Sequence, residues 1–115
     1  MITITHEAGY ISVSVAGQFT LSDYREFEEN AIYSMKFGGK IRLLMDLRDM
    51  LDFTIDVAWE ELKFTREHPN DFERIAVITS DQWLSWSAWL SRLYMDAQIA
   101  SFDDPETAQK WLLQN

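Results

Sequence analysis

Three carboxylates, two histidines and a set of tryptophans are the residues whose types and spacing could carry chemistry in this chain. Asp46, Asp49 and Asp52 follow an apolar run from Ile41 to Leu47, with Arg48 among them. Open α/β sheets take ligands at the carboxyl ends of their strands, and oxygen donors gathered there could hold a divalent cation. The stretch lacks the glycine that an Asp-rich calcium loop requires. The plainer reading is that Asp46 caps a loop, Arg48 neutralises a neighbour and the other acids are solvated. His6 and His68 fall on separate elements, and no His-x-x-x-His or His-Glu-x-x-His spacing occurs, so a zinc enzyme has no ligand set. His68, beside Pro69, suits the negative end of a helix. Ser80, Ser85 and Ser87 lie outside any Gly-x-Ser-x-Gly elbow, and the four glycines form no phosphate-binding loop. Arg74 opens an apolar run and reads as a structural partner for Asp46 or Glu60, with anion binding as the alternative. No catalytic residue, metal or cofactor is expected.

The strongest lead is aromatic. In the stretch Gln82 to Met95, residues Trp83, Trp86, Leu90 and Leu93 recur at i, i+3, i+7 and i+10, the stripe of an amphipathic helix. Leu84, Trp89 and Tyr94 fall outside that stripe, so the apolar arc is wider than one sheet contact requires. The excess has three readings: cover for a thin core edge, a homodimer contact through Trp89 and Tyr94, or a ligand or membrane-surface contact. In the last, Trp59 and Phe64 on the preceding helix join Trp83 and Trp86 to form an aromatic mouth between two helices.

The elements that must position these residues follow from periodicity. Ile2 to Thr5 and Tyr10 to Val15 alternate apolar and polar residues across Ala8-Gly9, which predicts an antiparallel hairpin, with Gly17 ending its second strand. Ser22 is the expected N-cap of a helix whose Tyr24, Phe27, Ala31, Ile32 and Met35 face a sheet, stopped by Gly38-Gly39. Ile41 to Leu47, broken by Arg42, and Ile75 to Ile78 are near-continuous apolar runs of the kind found in parallel strands buried on both faces. Helices are expected from Thr54, with Thr54 as its cap, to His68-Pro69-Asn70, and from Gln82 to Met95. A short strand from Gln98 to Phe102 precedes a last helix opened by Asp103-Asp104-Pro105-Glu106. The order is ββαβαβαβα.

Composition narrows the function classes. A chain of 115 residues, 47% hydrophobic with two prolines, is long enough for one cored domain, expected over 1–115. The absence of cysteine excludes disulfides and thiolate chemistry. With no basic, apolar leader at Met1 to His6, it fits a cytoplasmic protein. The net charge of −9, from 19 acids against 10 bases, disfavours nucleic acid and anionic membranes as partners. It leaves room for a neutral lipid or fatty ligand, and for peripheral membrane contact at most.

The segments Gly39-Lys-Ile-Arg-Leu-Leu-Met-Asp46, Trp59-Glu-Glu-Leu-Lys-Phe64, and His68 through Asp71-Phe-Glu-Arg-Ile-Ala-Val77 to Trp83, in this order and spacing, resemble the SpoIIAA-like family. That family consists of small bacterial proteins related in fold to STAS anti-sigma-factor antagonists, with a more distant likeness to CRAL-TRIO lipid-binding domains. The resemblance runs from about Ile2 to Leu113. It implies an α/β fold, a mixed sheet of four to five strands with helices mainly on one face. STAS antagonists carry a phosphorylatable serine in an Asp-Ser-x-Gly context, whereas Leu47 to Thr54 contains neither serine nor glycine. A phosphoswitch is therefore not expected. The expected function is a non-enzymatic binding module for a small apolar or lipid-like ligand at Trp59, Phe64, Trp83 and Trp86. The alternative is a protein-interaction or regulatory module acting through a homodimer or another protein.

Overall fold

The computed structural model describes residues 1–37, 39–54, 56, 60, 63, 67, 71–79 and 98–114, with the backbone alone at Phe53. Five strands form one sheet: β1 (Ile2–Glu7), β2 (Tyr10–Phe19), β3 (Ile41–Phe53), β4 (Phe72–Ile78) and β5 (Gln98–Phe102), in spatial order β1-β2-β3-β4-β5. β1 and β2 pair antiparallel as a hairpin, from Ile2 opposite Val15 to Glu7 opposite Tyr10. Its turn uses Gly9 at φ 90°, a left-handed conformation open to glycine. The pairs β2–β3, β3–β4 and β4–β5 are parallel. The sheet is therefore mixed, and the α/β reading of the sequence holds.

Two helices are described along their whole length, α1 (Leu21–Met35) and α2 (Pro105–Leu112). Alternation along the central strands sends side chains to opposite faces of the sheet. Leu43, Met45, Ile75 and Val77 lie with Val13, Val15 and Phe19 under Tyr24, Phe27 and Ala31 of α1. Leu44, Ala76 and Ile78 lie under Ala108 and Leu112 of α2. β3 and β4 are thus covered on both faces, which is why their sequences run apolar without a polar alternate. Of the expected helix after Thr54, the described positions Asp56, Glu60, Lys63 and Glu67 are helical. The expected helix from Gln82 to Met95 lies outside the described residues.

Several local expectations are corrected. Thr20, not Ser22, caps α1: its hydroxyl accepts from Asp23 N at 3.3 Å while Asp23 Oδ2 accepts from Thr20 N at 3.1 Å. This reciprocal capping box satisfies two helix-end donors, where Ser22 would satisfy one. Ile32 is 39% exposed instead of facing the sheet. Gly17, at φ 71°, does not end β2 but sits between register shifts as the strand runs on to Phe19, the use of glycine at a bulge. That extension gives β3 a partner beyond Leu47, with Ala16 opposite Asp49 and Gln18 opposite Asp52. The three aspartates therefore lie within a strand and not on a loop.

Arg42 and Arg74 are neighbours across β3 and β4, and both close the carboxyl end of α2. Arg42 Nη1 donates to Leu112 O at 2.9 Å. Arg74 Nη1 donates to Trp111 O at 3.0 Å and also to Gln114 O, with its guanidinium 5.6 Å from the Trp111 ring centroid. Two like charges stand side by side because the free carbonyls at a helix carboxyl end are partial negative charges. Arg74 is structural, as expected, but its partner is α2 rather than Asp46 or Glu60.

Candidate functional site

At the end of the sheet where the β1–β2 turn, the start of β3 and the carboxyl end of α1 converge, a groove of about 460 Å³ opens. Its walls are His6, Tyr10 and Ile11 from the hairpin, Tyr33, Ser34 and Phe37 from the end of α1, and Lys40, Ile41 and Arg42 from the start of β3, with Glu7 at the turn. Tyr33 lies on α1 away from the buried stripe of Tyr24, Phe27 and Ala31, so its ring projects beside the helix and stays 57% exposed. Phe37, just past the helix, is 72% exposed, and the two ring centroids are 4.9 Å apart at 55°. His6 meets Tyr33 edge-on at 6.1 Å.

Hydrogen bonds fix the imidazole. Asn30 Nδ2 donates to Glu26 O at 2.8 Å, which turns Asn30 Oδ1 toward His6 Nε2, also at 2.8 Å. Nε2 must then carry the proton, leaving Nδ1 as an acceptor 3.4 Å from Ser34 Oγ. Arg42 is already engaged by Glu73 and Leu112, and Glu73 is held below the usual carboxylate range first by that guanidinium and then by Arg74 and Lys40. Lys40 is exposed and forms no ion pair among the described residues. The groove thus offers two exposed aromatic faces, one uncommitted ammonium and an oriented imidazole.

A second electrostatic feature lies along α1. Glu28 is half-buried, and its Oε1 is buried with no hydrogen-bond donor among the described residues. Burial, then the adjacent carboxyl of Glu60, then Glu67 push Glu28 up to about 7, with Lys63 offsetting part of the effect. Burial and the like charges beside it therefore favour the protonated form of Glu28.

The sequence-derived candidates fare unevenly. Trp59, Phe64, Trp83 and Trp86, the expected ligand-binding set, and Trp89 and Tyr94, the expected interface, all lie outside the described residues. Asp46 commits both oxygens to Arg48, to Nε at 3.0 Å and Nη2 at 2.7 Å, and also accepts from Arg48 N at 3.1 Å. Those Arg48 bonds hold its carboxyl below the ordinary range. Thr54, expected as a helix cap, has a buried hydroxyl with no hydrogen-bond partner among the described residues. The groove residues Tyr33, Phe37 and Lys40 were not singled out from the sequence. Tyr33, an aromatic residue off the apolar stripe of its helix, was the available signal.

The family model described as SpoIIAA-like matches residues 10–113. The chain belongs to the SpoIIAA-like family. Among solved structures, it is similar to an uncharacterised protein of the DUF3478 family with a SpoIIAA-like fold from Shewanella loihica PV-4, with a TM-score of 0.76 and 23% identity. That match covers 97% of this chain and 92% of the other. At this identity it supports the SpoIIAA-like fold. Neither match speaks to the likeness with CRAL-TRIO domains, and no curated protein matches the chain. Among the described residues, no helix of this SpoIIAA-like protein is long and apolar enough to cross a membrane.

Proposed function

We propose that this SpoIIAA-like protein is a non-enzymatic, cytoplasmic binding module for a small apolar or lipid-like ligand, with at most peripheral membrane contact. The observation that supports it is the exposed Tyr33–Phe37 ring pair along the groove. Leaving large aromatic side chains in water forgoes roughly 1.5–3 kcal/mol for each that burial would supply. A ligand that covers them recovers part of that free energy. The surplus of apolar side chains in the 82–95 stretch points the same way. The second reading is an interaction module working through a homodimer or partner protein, without a serine phosphoswitch; the same exposed rings favour it, because aromatic residues are enriched at interfaces.

Native mass spectrometry of the purified chain separates the two. A retained adduct with the mass of a small apolar molecule, fatty acid or phospholipid supports the ligand reading. A bare chain that doubles its mass, and loses the dimer with Trp89→Ala or Tyr94→Ala, overturns it in favour of the interaction module.

A further inference from the structure

We propose that the groove between the β1–β2 turn and the end of α1 is a binding site for small aryl carboxylates, with the ring against Tyr33 and Phe37 and the carboxylate on Lys40. This rests on the binding-module reading and narrows it to a ligand class.

Size is the first constraint. A water molecule occupies about 30 Å³ of liquid, so a groove of about 460 Å³ holds on the order of 15 non-hydrogen atoms. That accommodates one ring with a short acidic side chain.

Ring geometry is the second. Tyr33 and Phe37 lie 4.9 Å apart at 55°, so they meet tilted rather than stacked face to face. Both keep much of their surface in solvent, at 57% and 72% exposed. A flat aromatic body can meet these faces in the offset or edge-on arrangements that aromatic groups favour.

Charge sets the third. The chain carries −9, so an anion is repelled except where positive charge is concentrated. Arg42 and Lys40 border the groove against the single lining acid Glu7. Arg42 is spent on Glu73 and on α2, and His6 Nε2 is spent on Asn30. The carbonyls that end α1 are also partial negative charges, which turns an anionic group away from Ser34. Lys40 is what remains, on the opposite wall at the start of β3.

The test is an amide-proton NMR titration of the full chain with phenylacetate, with phenylacetamide and choline as comparison ligands. Saturable shifts confined to the end of α1, the β1–β2 turn and the start of β3 are expected with phenylacetate. Lys40→Ala is expected to weaken it about fivefold, the size of an exposed charge contact. The neutral amide should bind wild type about as weakly as the acid binds Lys40→Ala, and be indifferent to Lys40→Ala. Phe37→Ala should weaken both acid and amide about tenfold. Both side chains are exposed, and an unchanged spectrum away from the groove confirms that each variant is folded. The proposal is overturned by the absence of saturable shifts with phenylacetate, by a response to choline in its place, or by affinity that ignores Lys40. If phenylacetate fails while native mass spectrometry still finds an apolar adduct, the aryl-carboxylate assignment falls and the broader binding reading stands.

Discussion

Replacing Glu28 by glutamine should stabilise the protein at alkaline pH and leave it unchanged in mild acid. In the unfolded chain Glu28 releases its proton near 4.5, whereas beside Glu60 and Glu67 it holds it to about 7. Between those values the folded state carries a proton that the unfolded state has lost, so stability falls as pH rises through the window. Below it both states are protonated and the pair costs nothing; above it both are ionised and the full penalty is present. A carboxyl displaced this far corresponds to about 3 kcal/mol if all of it reached the folding equilibrium. Solvent around the half-buried side chain screens that to about 1 kcal/mol. Glu28→Gln removes the second charge and supplies an amide donor to Glu60. In a chain of this size the gain should raise the melting temperature by about 4 °C near pH 8, with a difference near zero at about pH 5. Melting followed by circular dichroism across that range is the assay. The reasoning fails if the difference between variant and wild type is the same at both ends of the range, or if Glu28→Gln lowers the midpoint in alkali.

Two further outcomes follow from backbone partners. Thr20→Ala removes the hydroxyl half of the α1 capping box and should cost about 1 kcal/mol in urea unfolding, with Thr20→Ser recovering most of it. Arg74→Met keeps apolar contact with Trp111 but removes the charged bonds to the carbonyls of Trp111 and Gln114, although Trp111 O still accepts from Gln114 N, and should cost about 1 kcal/mol at unchanged denaturant slope.

The sheet was legible where a strand's pattern reflects its own burial. Alternation marked β1 and the first half of β2, and near-continuous apolar runs marked β3 and β4. The rest depended on partners remote in sequence. Leu51 and the aspartates at 49 and 52 look like a loop because they are exposed; they form strand because β2, bulged at Gly17, runs alongside them. Arg42 looks like an interruption of an apolar strand, and its reason is a helix end some seventy residues later. At the start of α1 two hydroxyls competed for the cap, and the acid three residues after Thr20 decided it. The groove was hidden for the same kind of reason: His6, Tyr33, Phe37 and Lys40 are each unremarkable in their own segments and acquire meaning only where three elements meet. The tryptophan-based site was read from a helical pattern that lies outside the described residues.

The strand order has a consequence for how the chain assembles. Because every described strand lies beside its sequence neighbour, each one after β1 that emerges from the ribosome finds its partner already made. Synthesis at about 5–20 residues per second is slow against hairpin formation in roughly microseconds, so β1 and β2 can pair and await β3, and each later strand docks on a waiting edge. A sheet whose first strand paired with its last would leave that edge bare until translation ended. Here the order of growth matches the order of translation, and each new strand among those described adds at the edge its predecessor has just formed, while the outer edge of β1 stays free throughout.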